Sequence, residues 1–578
     1  MSRSFVLAFL ALSCPLAAAQ DAPPEVSTGW TSKSPVTAKH WMVVAANPLA
    51  VEAGSRILKQ GGSAVDAAIA VQLVLGLVEP QSSGLGGGAF MLVHDGKAGR
   101  LVAYDGRETA PAAATPDRFM QDGKPMTFFA AVVGGKAVGV PGVVRLLEAA
   151  HRRHGRLKWA ALFAPAIALA ERGFAVSPRL HALIAAERHL TQPRAHAYFY
   201  TVEGKPLPVG TMLVNPAYAA TLRRIAEGGA DAFYGGDIAR DIVATANGHP
   251  TNPGDLTLAD LAGYEVKVRD AVCGTYRSYR VCGMPLPSSG GLTVLQMLKI
   301  LEPFDLRAMG PASFWSVHYV SEAGRLAFAD RGVYMADPAF FTPPEGLLDD
   351  AYLRSRSALI RPDASMGVAG PGTPPEKLPA SQRVALGRDN ALDVPSTSHL
   401  SIVDKYGNAV AMTTTIESGF GSRLMTQGGF LLNNQLTDFS FVPTEQGKPV
   451  ANRVEAGKRP RSSMAPTIVY DRFGRVAIVA GSPGGSAIIN YVAKTLLAII
   501  DWDLDPQAAV ALPNFGSRNG PTELERNTPL VALEPRLKAL GAPVWITDHT
   551  SGLHVIQRTK DGWVGGADPR REGIARGE

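Results

Sequence analysis

Three hydroxyl residues, Ser396, Thr397 and Ser398, lie where a segment rich in Pro and Gly meets a strand pattern. If the chain is cut just before such a residue, its hydroxyl becomes a nucleophile that carries its own base, because the new α-amine lies beside it. The alternative is a surface loop that runs into an ordinary strand. Taken alone, this segment favours the alternative.

The residues that follow predict a β-hairpin that would position Thr397. HLSIV and AVAMTTTI have the alternation and β-branched residues typical of strands, and Gly407-Asn408 marks the turn. With the turn centred on Tyr406, antiparallel pairing places Thr397 opposite Thr415, where one hydroxyl can orient the other. A purely structural Thr–Thr pair stays open at this point, as does a register shifted by one residue.

Two further motifs have the residue types that bind anions. Gly484 and Gly485 lie between a strand pattern and a helix pattern, so their amides can form a nest suited to an oxyanion. Arg107 follows the strand pattern LVAYDG and can bind a carboxylate through its planar fork. The structural alternatives are a tight turn and a surface salt bridge.

Two polar segments near the C-terminal third add binding groups for an amino-acid head. The basic turn from Lys458 ends in Ser462 and Ser463 and could hold a carboxylate, and the segment with Gln435 and Asp438 could hold an ammonium group. An exposed loop and a polar turn are the alternatives. Together, the four motifs and the hydroxyl residue fit transfer of an acyl group that bears a free amino-acid head.

Composition limits the class of protein. At 578 residues, with 46% hydrophobic and 19% charged residues, the chain is long enough for a large core or two domains and is not a disordered protein. The net charge of +6 is modest, and the absence of a dense Lys/Arg block argues against nucleic acid as a partner. No CxxC, HExxH or Asp-rich calcium loop occurs, so we expect neither a metal nor another cofactor.

The N-terminus has the pattern of a cleavable signal peptide at residues 1–19. A positive start, an apolar run and Ala17-Ala18-Ala19 before Gln20 predict export to the periplasm or secretion. The apolar run is too short for a membrane span, and no other stretch is apolar enough. Removal of the signal leaves Cys273 and Cys282, for which a cross-hairpin disulfide and two buried thiols are both open.

Other elements are expected to support the site. The run Ser63–Glu79 predicts a buried helix with a capping box from Ser63 and Asp66, and the Gly-rich stretch from Gly84 predicts close backbone packing. The middle of the chain predicts helices up to about Tyr352. The segment Arg354–Pro395 predicts an exposed, cleavable linker.

The order and spacing of these motifs resemble the γ-glutamyltransferases, also called glutathione hydrolases, of the N-terminal nucleophile (Ntn) hydrolase class. The resemblance covers nearly the whole chain after the signal and includes AVDAAIAVQLVLGLVEPQSSGLGGGAFMLV, YDGRETAP, STSHLSIVDKYGNAVAMTTT, LLNNQLTDFS, KRPRSSMAPT, GSPGGS and GGADPRREG. It implies an α+β fold, a four-layer αββα sandwich built from two subunits of one precursor. The large subunit would be 20–396, with a helical middle region, and the small subunit 397–578.

The resemblance also implies residue roles. Thr397 would attack the carbonyl of Ser396, cut the chain by an N-to-O acyl shift and then serve as the catalytic nucleophile, with Thr415 orienting its hydroxyl. The other implied roles are the oxyanion hole (Gly484, Gly485), the donor α-carboxylate site (Arg107, Ser462, Ser463) and the donor α-ammonium site (Gln435, Asp438).

This chain departs from the family pattern near the donor ammonium. Glu417 stands where many members carry Asn, which makes the pocket more acidic, and the segment from Asp438 to Lys458 is shorter than in members with a long lid. The expected substrates are glutathione and other γ-glutamyl compounds, with transfer to water or an amine. The alternatives are a glutaryl-type (cephalosporin) acylase and a catalytically silent periplasmic binding protein for γ-glutamyl compounds.

Overall fold

The computed structural model describes residues 29–377, 384–389, 391 and 396–578. The predicted signal peptide, 1–19, lies outside these residues, as does part of the predicted linker, whose first four residues complete a helix, Asp350–Ser357. Within the described ranges, no helix combines the length and the apolar composition needed to cross a bilayer.

Two seven-stranded antiparallel sheets form the centre of the molecule. Sheet 1 contains the segment after Thr397, and its strand order is Ile574–Gly577, Met42–Ala45, Ser398–Val403, Ala409–Thr415, Gly88–Asp95, Arg100–Gly106 and Lys267–Arg269. The strand order of sheet 2 is Val36–Ala38, Gly562–Ala567, His554–Thr559, Val476–Gly481, Thr467–Tyr470, Tyr279–Gly283 and Val272–Tyr276. Each sheet takes strands from both sides of the Ser396–Thr397 bond.

The two faces of sheet 1 pack into different cores because side chains alternate along each strand. Leu400 and Ile402 pack with the helices outside sheet 1, whereas Phe90 and Ala411 pack toward sheet 2. Stacking of the two sheets between helical layers gives the four-layer αββα sandwich that the family resemblance implies.

The helical layer outside sheet 1 is formed by Pro48–Lys59, Ala64–Val78 and Val143–His154, and further helices cover it: Ala164–Arg172, Pro178–Ala186, Pro193–Phe199, Pro216–Gly228, Asp231–Tyr234, Gly236–Asn247 and Leu258–Ala262. The layer outside sheet 2 contains Gly290–Leu301, Leu306–Met309, Phe314–Tyr334, Asp350–Ser357, Ile488–Ile500, Pro506–Ala511 and Glu534–Ala539. A short helix, Phe128–Val132, precedes the helical middle region.

The local predictions near the site are confirmed. Helix Ala64–Val78 is buried along its whole length and begins with the capping box, in which Ser63 Oγ accepts from the Asp66 amide at 3.1 Å. A Cβ at Gly87 would lie 2.1 Å from the Thr415 carbonyl oxygen, so only glycine allows the loop to approach that strand. Outside the site, Cys273 and Cys282 lie opposite each other in their hairpin and form a disulfide, one of the two states that the sequence left open.

Candidate active site

The hairpin brings the hydroxyls of Thr397 and Thr415 together. Ser398 pairs with Thr414 and the register continues to Val403 opposite Ala409, which is the register predicted from the turn at Tyr406. Thr397 Oγ1 donates to Thr415 Oγ1 at 3.1 Å, and Thr415 Oγ1 also accepts from the Glu417 amide at 2.8 Å. Thr415 therefore fixes the direction of the Thr397 hydroxyl.

The backbone at Thr397 is strained. Its φ is 125°, a region that favours glycine and is a marked outlier for a β-branched residue, with a cost of about 1–3 kcal/mol. The neighbouring side chains hold the segment, since Ser396 Oγ donates to the Gln81 carbonyl at 3.1 Å and Ser398 Oγ donates to Glu79 Oε2 at 3.0 Å. The Ser396–Thr397 bond thus lies buried in a fixed conformation.

A small pocket opens at Thr397. Of the site residues predicted from the sequence, all except Ser396 and Gly484 line it, together with Met464 and Ile488, which the sequence does not mark. The lining residues are Arg107, Thr397, Thr415, Glu417, Gln435, Asp438, Ser462, Ser463, Met464, Gly485 and Ile488.

Opposite charges lie side by side in this pocket. The guanidinium of Arg107 donates to the carboxylate of Asp438 and to the carbonyls of Pro460 and Arg461, the latter two at 3.1 and 2.8 Å. Gln435 Nε2 donates to Asp438 Oδ2 at 2.7 Å. The pocket therefore presents an adjacent cation and anion, complementary to the carboxylate and ammonium of an amino-acid head.

Two buried glutamates next to this pair titrate abnormally. Burial, and then the negative charge of Asp438, raise the pKa of Glu417 well above its ordinary value, against a hydrogen bond from Asn434. Burial also raises the pKa of Glu108 to about 8, although Arg107 opposes the shift. Both shifts favour the neutral carboxyl form, so these two glutamates bring less negative charge to the Arg107–Asp438 pair than ordinary glutamates would.

Ser462 and Ser463 are held in place by buried contacts from other elements. The amide of Ser462 donates to the Pro287 carbonyl at 3.0 Å, and Ser463 Oγ accepts from Arg331 Nη2 at 2.6 Å. Arg331 lies on helix Phe314–Tyr334, more than 100 residues from the serines, and no local motif marked it. The basic turn before the serines is buried rather than exposed, which excludes the surface-loop interpretation.

The glycine pair forms the turn that enters helix Ile488–Ile500. Gly484 has a φ of 134° and Gly485 a φ of 57°, both in the region that favours glycine. A Cβ at Gly484 would lie 2.5 Å from Tyr491 Cε2. Free amides at such a turn can stabilise an oxyanion formed beside Thr397.

Stacked antiparallel sheets between helical layers, with a hydroxyl side chain directly before the first residue of a strand, define the Ntn-hydrolase class. Comparisons with known proteins agree. A solved structure described as cephalosporin acylase from Bacillus halodurans superposes with a TM-score of 0.82 at 28% identity, covering 96% of this chain and 99% of that one.

Sequence comparison defines the family within this class. The gamma-glutamyltranspeptidase family model matches residues 50–577, and the chain belongs to that family. It is 38% identical over 483 residues to a glutathione hydrolase proenzyme of Bacillus subtilis, covering 82% of this chain and 80% of that protein. It is 36% identical over 557 residues to an acylase ACY 1 proenzyme of a Pseudomonas species, covering 94% of each. The chain is therefore an enzyme, and γ-glutamyl transfer is the activity that family membership assigns to it.

Proposed function

We propose that the chain is an exported precursor that cuts itself between Ser396 and Thr397. Thr397 Oγ1 would attack the Ser396 carbonyl, and the acyl group would move from nitrogen to oxygen. Water would then hydrolyse the ester, leaving a carboxylate at Ser396 and a free α-amine at Thr397. The strained φ of Thr397 and its hydrogen bond to Thr415 support this step, and subunits 20–396 and 397–578 would stay together through the shared sheets.

In the catalytic cycle, the α-amine of Thr397 takes the proton from Oγ1 as this oxygen attacks the γ-carbonyl of the donor. The amides of Gly484 and Gly485 bind the oxyanion, and the ammonium returns its proton to the departing amine. The resulting γ-glutamyl ester passes to water or to the amine of an amino acid or peptide. Thr415 keeps the hydroxyl aimed, as its 3.1 Å contact supports.

The choice of donor rests on one observation, the contact between Arg107 and Asp438 in the pocket. A γ-glutamyl head can place its α-carboxylate on Arg107, Ser462 and Ser463 and its α-ammonium on Asp438 and Gln435. The carboxylate of the head then replaces Asp438 as the partner of Arg107, and its ammonium replaces Arg107 as the partner of Asp438. Glutathione and other γ-glutamyl amides have such a head.

A glutaryl-type acylase is the second candidate, favoured by the likeness to the two acylases. A glutaryl head has no ammonium, so its binding would take Arg107 from Asp438 and leave that carboxylate without a cation, which is costly in a buried pocket. The pocket therefore favours the γ-glutamyl head. A silent binding protein would not need the aimed hydroxyl of Thr397.

The substitution Asp438→Asn tests the donor assignment. We expect kcat/KM for a γ-glutamyl anilide to fall about 100-fold, because the ammonium loses a buried charge partner worth about 3 kcal/mol. The same variant should keep or gain activity on the matching glutaryl anilide. Asp471→Asn is the matched control, since Asp471 pairs with Arg475 in an exposed turn of sheet 2. Unchanged γ-glutamyl turnover by Asp438→Asn would remove Asp438 from the donor site.

Export to the periplasm or beyond is part of the proposal. The signal pattern at 1–19 supports it, and so does the disulfide between Cys273 and Cys282, because such bonds persist mainly in oxidising compartments.

A further inference from the structure

The loop Asp568–Gly573 near the C-terminus packs against the backbone of Thr397. Arg571 on this loop is buried, and its Nη1 donates to the Thr397 carbonyl at 3.4 Å. Its Nε and Nη2 both donate to the Thr550 carbonyl, at 3.3 and 2.8 Å. A guanidinium therefore contacts the residue that carries the nucleophile, although the two are 174 positions apart.

A lysine at the other end of the described chain holds this loop. Lys33 Nζ donates to the carbonyls of Asp568, Arg571 and Gly573 at 2.7, 2.6 and 2.5 Å. The amide of Thr31 donates to the Pro569 carbonyl at 2.8 Å. Lys33 thus fixes the main chain of Arg571. Burial lowers the pKa of its ammonium to about 8, so Lys33 still carries most of its charge at pH 7.

The imidazoles that pack on this region do not add charge. Burial lowers the pKa of His399 to about 3. Burial, together with His399, Lys33 and Arg571, lowers the pKa of His554 well below its ordinary value. Both rings are neutral at pH 7. The cations of this region are therefore Arg571 and Lys33, together with Arg570 on the same loop, which pairs with Glu525 and Asp568, and Arg179, which lies beside Glu79.

Carboxylates also lie in this region, on the loop itself and on other elements. Glu79, after helix Ala64–Val78, accepts from Ser398, and Glu572 lies on the loop itself and accepts from the Arg179 amide. Burial and the charge of Asp438 raise the pKa of Glu417 well above its ordinary value, and Asp438 pairs with Arg107 in the pocket. The contact of Arg571 with the Thr397 carbonyl places its positive charge against the residue that carries the α-amine.

We propose that Arg571, held by Lys33, lowers the pKa of the Thr397 α-amine in the cleaved enzyme and so keeps that amine a free base at neutral pH. The proposal rests on the proposed function, in which this amine takes the hydroxyl proton. A like charge within about 4–6 Å disfavours the protonated amine, whose ordinary pKa is about 7.7. Arg571 is then a positioning residue, which acts through the amine.

The test compares Arg571→Gln with Arg571→Lys, which keeps the positive charge. The acidic limb of the pH profile of kcat/KM should move up by about one pH unit in Arg571→Gln and stay near that of the wild type in Arg571→Lys. At pH values below the limb, kcat/KM of Arg571→Gln should therefore be about tenfold lower than that of the wild type. Arg558→Gln is the matched control, because Arg558 donates to the Val476 carbonyl at 2.7 Å, at the end of sheet 2 away from the pocket, and its limb should not move.

A second measurement reads the amine without turnover. Reductive dimethylation of the cleaved protein at a series of pH values, followed by mass spectrometry of the peptide that begins Thr-Ser-His, gives the pKa of the amine. We expect the same upward shift in Arg571→Gln and a smaller one in Lys33→Met. If Arg571→Gln is not cleaved, the pKa of the amine is compared between Lys33→Met and the wild type instead.

An unshifted amine in a cleaved variant would overturn the inference, and so would an equal shift in Arg571→Lys. Failure of the proposed function looks different, because no peptide would then begin at Thr397 in the active wild type.

Discussion

The two ends of the stacked sheets differ although they share the same strands. At the pocket end, the connections after Thr415 and Gly481 are irregular and bury charged side chains. At the opposite end, the strands are joined by short turns at Asp404–Asn408 and Asp471–Arg475, in which a main-chain hydrogen bond of 3.0 Å closes each turn. The regular end only connects strands, whereas the irregular end holds groups that can do chemistry.

An Arg–Asp ion pair occurs at each end, and the two pairs differ in how much they contribute to stability. Arg107 and Asp438 form an ion pair in the pocket, where removal of one partner leaves a buried charge and costs about 3–5 kcal/mol. Arg475 and Asp471 form a similar pair in the opposite turn, where Arg475 is 61% exposed and such pairs contribute about 0–1 kcal/mol. Substitutions at the two ends should therefore differ in effect even when the chemistry changed is the same.

The largest contrast is expected between two glycines. Gly484→Ala places a Cβ against Tyr491 and strains a φ of 134°, so the oxyanion amides move and kcat should fall about 100- to 1,000-fold. Gly474→Ala lies in the opposite turn, with a φ of 77° and no atom within 4 Å of the new Cβ. It should cost about 1 kcal/mol of unfolding free energy and leave kcat unchanged. Equal kcat values for the two variants would show that Gly484 has no part in catalysis.

A smaller effect is expected from Thr415→Val, which keeps the shape and removes the hydroxyl that aims Thr397. We expect kcat to fall about 10- to 100-fold with little change in KM, since the hydroxyl contacts the nucleophile and not the donor head. Thr415→Ser restores the hydroxyl and should recover most of the rate. If steady-state kinetics show full activity in the valine variant, another group orients the nucleophile.

The smallest expected effect is on the pH dependence of stability. This dependence has opposite signs for a carboxyl group at the pocket end and one at the opposite end. The folded pKa of Glu108, about 8, lies above the unfolded value, so stability is lost as pH rises from about 4.5 to 8. Glu108→Gln removes this loss, and its melting temperature relative to the wild type should rise by about 5 °C between pH 5 and 8.

Asp471 should show the opposite pH dependence of stability. Burial acts to raise its pKa, but hydrogen bonds from Arg475 and the Phe473 amide together bring the pKa below the ordinary value. Asp471 therefore stabilises the fold above pH 4, and Asp471→Asn should lose stability there but not at lower pH. Parallel pH dependence in the two variants would contradict the assigned pKa directions.

Local sequence patterns predicted much of the pocket end. The turn at Tyr406 determines the Thr397–Thr415 register, because antiparallel pairing is symmetrical about the turn. The capping box at Ser63 and the close approach of Gly87 follow from short-range rules in the same way. The residue types around Ser462 and Asp438 suggested carboxylate and ammonium binding, but a polar surface turn stayed open until the family resemblance, because polar turns alone give no sign of burial.

The contacts that come from distant elements could not be predicted. Arg331 reaches Ser463 from a helix in the middle of the chain, and Arg571 reaches Thr397 from the C-terminal loop. Lys33 holds that loop from the N-terminal segment. The irregular end depends on such long-range contacts, and no spacing along the sequence marks them. Assignment of catalytic roles to the pocket residues stays a prediction until variants are measured.

N-terminal sequencing of the separated fragments of purified, active enzyme tests the central claim most directly. The account predicts that the smaller fragment reads Thr-Ser-His-Leu, and that Thr397→Ala gives one uncut and inactive chain. Full turnover by an uncut wild-type chain, or a small fragment that begins at any other residue, would contradict it.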